Sequence, residues 1–119
     1  MRPLAILPPL FLTLIAPAFA AEPVKLTKQQ VEEVKRTTSR DMRDPASAVF
    51  SNIRGGRTAD GMLIACGLVN GRNGYGGMVG NSPFFGTWRD GTYRTAVTER
   101  ADGSLGVGAM CARLGIPVE

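Results

Sequence analysis

PFFGTWRDGTYRTAVTE, residues 83–99, is the stretch from which the fold can be read. Two runs of alternating bulky and polar residues flank Asp90-Gly91, and that dipeptide suits the positive-φ positions of a two-residue type I′ hairpin. Such a turn sets a register with Trp88 opposite Tyr93 and Phe84 opposite Val97. Aromatic cross-strand pairs of this kind contribute a few tenths to about 1 kcal/mol. An antiparallel sheet is therefore predicted, with Trp88 and Tyr93 first of all sheet residues.

Upstream, MLIACGLVN (62–70) is a nearly continuous apolar run of strand length. It reads as a central strand covered on both faces, one of them by a helix. Before it, Val49, Phe50 and Ile53 suggest a strand up to about Arg54. GGRTADG then turns the chain, with Asp60-Gly61 favouring positive φ. DPASA (44–48) reads as a short turn with Asp44 as cap and Pro45 at its first position.

The helix signal lies in LTKQQVEEVKRTTSRDMRDP (26–45). Thr27 and Gln30 stand at capping-box spacing, and Val31, Val34, Thr38 and Met42 form one narrow stripe between charged faces. Pro45 forces a stop, so the helix is expected from about Lys28 to Arg43. Residues 21–26 read as a frayed leader. After the hairpin, SLGVGAMCARLG (104–115) reads as a short helix from about 107 to 114 closed by Gly115. An edge strand is the alternative, because Gly106 and Gly108 weaken a helix. The expected fold class is α+β: an N-terminal amphipathic helix packed on a small antiparallel β-sheet, with one disulfide.

MRPLAILPPLFLTLIAPAFA (1–20) has a basic residue at Arg2, an apolar run from Leu4 to Phe19 and Ala18-Phe19-Ala20 before Ala21. This is the layout of a secretory signal peptide. The run is short for a bilayer and is broken by Pro8, Pro9 and Pro17, which argues against a membrane span. Residues 1–20 are thus read as signal and 21–119 as a single exported α+β domain, periplasmic or secreted. The cysteine count agrees: Cys66 and Cys111 are the only two, and an even number in a small exported domain reads as a disulfide. Closing a loop of about 45 residues stabilises by roughly 4 kcal/mol in the chain-entropy model.

Charge excludes little but favours no nucleic acid. Removing Arg2 from the 14 Lys+Arg leaves 13 against 10 Asp+Glu, scattered without a basic stripe. The chain has no histidine, so a triad, a histidine metal cage and a proton shuttle are all missing. Glu32 and Glu33 are adjacent and leave a helix in different directions, Asp41 and Asp44 sit beside Arg40 and Arg43 as a solvated helix end, and Asp60, Asp90 and Asp102 each precede a glycine and mark turns. No catalytic residue, metal ligand or cofactor site is assigned.

NGRNGYGGMVGN (70–81) is the other feature that asks for a function. Its glycines imitate a dinucleotide fingerprint, but such a fingerprint must open a helix, and Asn81-Ser82-Pro83 leads into the hairpin instead. Asn70 ends a strand and its side chain suits backbone capping in a turn. Gly76-Gly77 permits positive φ or close approach. Tyr75 either folds back over the core or stands exposed as a contact residue.

Residues 44–50 (DPASAVF), 66–70 (CGLVN), 73–80 (NGYGGMVG) and Pro83-Phe84 together resemble a widespread set of small exported bacterial proteins of uncharacterised function. Their pattern is approximately D-P-x-S-A-x-F, then C-G-x-V-N-x-x-N-x-x-G-G-x-x-G, then a phenylalanine. The likeness covers most of residues 30–90 and implies an exported single domain; it transfers no catalytic residue. The expected function is an exported, non-enzymatic cell-envelope domain that binds a protein or envelope component. Its candidate binding residues are Asn70, Arg72, Asn73, Tyr75, Gly76 and Gly77. The alternatives are an inhibitor of an envelope-attacking hydrolase, a purely structural component, and a carboxylate-dependent hydrolase acting on an envelope polymer. The last requires two carboxylates about 5 to 9 Å apart across one pocket.

Overall fold

A computed structural model describes residues 2–11, 21–72 and 80–119. Its five strands, β1 (Ala21–Val24), β2 (Val49–Thr58), β3 (Leu63–Asn70), β4 (Ser82–Arg89) and β5 (Thr92–Thr98), form one antiparallel sheet in sequence order. Helix α1 (Lys28–Arg40) and a 3₁₀ turn (Pro45–Ser47) lie between β1 and β2, and helix α2 (Val107–Arg113) follows β5. The architecture is α+β with a single Cys66–Cys111 disulfide.

The expected N-terminal helix is corrected by this order. Residues 21–24 are not a frayed leader but an edge strand, pairing Ala21 with Thr58 and Val24 with Gly55. Pro23 is compatible with that position, because an edge strand can spare one N–H. Helix α1 comes second in the chain; it lies along the far edge strand, β5, and its Val34 also packs with Ala65 and Val69 of the central strand. Its start is as the spacing predicts: Thr27 accepts from the Gln30 amide at 3.1 Å while the Gln30 side chain accepts from the Thr27 amide at 2.9 Å. It stops at Arg40, three residues earlier than Arg43, with Asp41 as C-cap.

Strand β3 is buried from Ile64 through Val69, as its unbroken apolar run demands. Alternation divides its side chains between two clusters. Ala65 and Val69 join Val34, Phe84 and Tyr93 on the α1 side. Ile64, Cys66 and Leu68 join Val107, Cys111, Ile116 and Val118 on the α2 side. The disulfide stands in the second cluster with both cysteines fully buried.

Glycines in the strands make room instead of turns. Strand β2 continues through Gly55-Gly56 to Thr58, beyond the end near Arg54 that the sequence predicts. A Cβ on Gly55 would fall 2.5 Å from Leu26, so only glycine admits the chain that enters α1. In β3, Gly67 lies beneath the Phe84 ring, whose Cζ is 2.6 Å from where a Cβ would be. Phe84 in turn meets Phe50 edge to face at 5.9 Å.

The hairpin keeps half of its predicted register. Trp88 pairs with Tyr93 and Arg89 with Thr92, but a bulge between Phe85 and Gly86 sets Phe84 against Thr98 and Phe85 against Val97. The Tyr93 ring occupies the space over Gly86, as a Cβ there would lie 2.4 Å from its Cζ. Bulges of this kind bend and twist an edge pair. A second bulge, between Ser51 and Arg54 of β2, holds Asn52 at φ 51°, and the Asn52 side chain donates to the Val118 carbonyl at 2.9 Å.

The 105–114 ambiguity resolves as a helix. Gly106, at φ 67°, begins α2 without a side-chain cap of its own. At the other end Gly115, at φ 89°, donates to the Ala112 carbonyl, and Ile116 donates to that of Cys111, both at 3.0 Å. That pair of bonds is a Schellman motif, and it turns Ile116 and Val118 back into the core.

Candidate functional site

The described parts of the segments that carry the sequence pattern meet where β3 ends and the chain returns toward β4. The Ser47 hydroxyl donates to the Asp44 carbonyl at 2.7 Å and accepts from the Arg72 amide at 2.9 Å. Asn70 Oδ1 accepts from the Gly80 amide at 3.0 Å. Gly71 is buried, and a Cβ there would lie 2.1 Å from the Met42 methyl. Ser47, Asn70 and Met42 thus hold Gly71, Arg72 and Gly80, the described ends of the connection between β3 and β4.

The local reasons are elementary. Pro45 fixes φ for the 3₁₀ turn, which aims Ser47 at the end of β3. Asp44 does not cap this turn with its side chain, contrary to expectation; its carbonyl accepts from the Ser47 amide instead. Asn70 is the last residue of β3, and its short amide side chain reaches the returning backbone. Arg72 is exposed. Of the predicted binding residues, Asn70 and Arg72 are brought together here. Asn73, Tyr75, Gly76 and Gly77 lie outside the described residues.

A second polar arrangement escaped sequence reasoning. Glu33, on α1, accepts from the Trp88 indole at 3.1 Å and from the Tyr93 amide at 2.8 Å. Beside it the hydroxyls of Thr38 and Thr95 bond each other at 2.9 Å. The Tyr93 hydroxyl is buried next to them without a hydrogen-bond partner among the described residues, and burial pushes the phenol's pKa up. The only signal in the sequence was one acid in an otherwise polar helix face.

Glu99 forms a third. Its carboxylate accepts from the amides of Arg100, Leu105 and Val107 at 2.8–2.9 Å. The Val107 bond above all, aided by the others, holds the carboxyl below the usual glutamate range. Glu99 is therefore the remote N-cap that Gly106 cannot be. It and Glu119 line one cleft of about 300 Å³, but a carboxylate committed to three amides is poorly suited to deliver a proton. The turn aspartates Asp60 and Asp102 are likewise held low, by hydrogen bonds from Thr58 and Ser104 respectively.

Among the described residues no three or more His, Cys, Asp or Glu side chains gather as a metal site, and no helix is long and apolar enough to cross a membrane. Comparison with protein-family models, with curated proteins and with solved structures finds no match.

Proposed function

We propose that this chain is an exported, non-enzymatic cell-envelope domain that binds a protein or an envelope component through the loop between Asn70 and Gly80. The carrying observation is the clamp at the loop base. Side chains from three separate segments, Met42, Ser47 and Asn70, serve to hold the two loop ends at a fixed spacing. Anchored ends lower the ordering entropy that a binding loop must lose when it engages a partner. The reading of Tyr75 and Arg72 as contact residues rests on composition, since an aromatic and an arginine are the residue types that most often anchor an interface.

Export is supported by the signal-like first twenty residues and by a buried disulfide, which persists in oxidising compartments. Leu4, Ile6, Leu7, Leu10 and Phe11 are all more than four-fifths exposed, as suits a targeting segment outside the core. N-terminal sequencing of protein recovered from the periplasm or medium should begin at Ala21.

The binding test is capture from a solubilised envelope extract by the immobilised protein. Arg72→Ala and Tyr75→Ala should each abolish capture of the partner, and Ser47→Ala should weaken it. Capture that survives both contact variants would overturn the loop reading.

A further inference from the structure

We infer that the groove at the β1 edge of the sheet is a binding site for a single-chain anionic amphiphile, such as a fatty carboxylate. The groove arises from unequal strand lengths. Among the described residues β1 has four residues, paired with Gly55–Thr58 and ending at Val24, whereas β2 runs ten residues from Val49. Where β1 ends, the edge of β2 loses its neighbour and both hydrophobic layers come to the surface. Leu26, Val31 and Ile53 reach it from the α1 side, Ile116 and Pro117 from the α2 side, around a space of about 730 Å³. That volume lies within the range of small-ligand pockets.

The two charged residues that line the groove are both cations, Lys25 and Arg54, and both are exposed. The ion pair found among the described residues is Lys35–Glu32, so neither Lys25 nor Arg54 is neutralised by a carboxylate there. An apolar trough with two unpaired cations at its lip fits an alkyl chain that ends in a negative head. The tail gains by leaving water, and the head accepts charge-assisted hydrogen bonds from ammonium and guanidinium. An extended peptide added to the same edge fits less well. The bulge at Asn52 and Ile53 interrupts β2 within the groove's own stretch of edge, and bulges are a device that protects edges against strand addition. The groove shares no residue with the loop clamp, and this inference does not rest on the loop reading.

The test titrates purified, disulfide-intact protein with decanoate below its micellar concentration, with 1-decanol, and with a valine-rich peptide bearing a free C-terminal carboxylate. Decanoate should bind one per chain, with backbone amide shifts centred on Ile53, Gly55 and Ile116. The double variant Lys25→Glu/Arg54→Glu should weaken it about tenfold and leave 1-decanol unchanged. Each single variant should show part of the loss, and because both positions are exposed the fold should be retained. The inference is overturned by no decanoate binding, by shifts centred elsewhere, by equal affinity for the alcohol, by indifference to charge reversal, or by binding of the peptide alone.

Discussion

The backbone amide of Tyr93 donates to the Glu33 carboxylate at 2.8 Å, so a side chain of α1 occupies a hydrogen-bonding position on the outer edge of β5. The same carboxylate takes the Trp88 indole proton, and Trp88 and Tyr93 face each other across the hairpin with ring centroids 4.7 Å apart. One residue thereby pins the helix, the edge strand and the aromatic pair together. It also blunts an edge that would otherwise invite pairing with another chain.

Glu33→Ala should accordingly destabilise the protein by about 2 kcal/mol, the usual loss when hydrogen bonds to a charged acceptor are removed. Glu33→Gln keeps an acceptor and should lose about half of that. Urea unfolding followed by the fluorescence of Trp88, the single tryptophan, would read both as shifts of the midpoint.

Tyr93 makes the protein sensitive to alkali. Its phenol is raised above the ordinary value of 10.0 by burial, so the unfolded chain releases this proton at lower pH than the folded one. Stability is then full below pH 10.0 and falls as pH rises through the raised folded value. Tyr93→Phe should flatten that alkaline limb in thermal melts. Near neutral pH it should change stability by less than about 1 kcal/mol, because the hydroxyl it removes makes no well-formed hydrogen bond among the described residues, Thr38 and Thr95 beside it included.

Glu99 acts at the other end of the scale. Its folded pKa lies below the ordinary 4.5, so its stabilisation is present above that value and is lost as pH falls through the folded pKa. Glu99→Gln should lower the melting temperature near neutral pH and reduce its dependence on pH in the acid range. Amide exchange should quicken at Leu105 and Val107, whose N–H groups the carboxylate holds.

The disulfide should resist reductant in the native state, since Cys66 and Cys111 are both fully buried. Dithiothreitol alone should leave it intact, and dithiothreitol with denaturant should open it. The Cys66→Ala/Cys111→Ala variant should lose roughly 4 kcal/mol, close to the entropy of closing that loop.

Signals carried by neighbours in sequence were legible, and those carried by neighbours in space were not. Asp90-Gly91 located the hairpin and Thr27 with Gln30 located the helix start, because each device is complete within four residues. Strand β1 has no alternation and contains a proline, so it exists by virtue of the partner it finds at Gly55–Thr58. Gly55-Gly56 resembled a turn, and only the approach of Leu26 on one face and of Ala21 with Ile116 on the other explains them. The hairpin bulge was hidden for the same reason, as it depends on a tyrosine ring settling over Gly86. At the candidate site, Asn70 was anticipated as a turn-capping residue, while the Ser47–Arg72 bond spans 25 positions and had no local sign.

The Cys66–Cys111 bond encloses the segment between β3 and β4 and the whole β4–β5 hairpin within one covalent ring. A protease that severs a single peptide bond anywhere in that ring leaves a two-piece molecule still joined by sulfur. A cut between β3 and β4 would therefore release neither piece from the other.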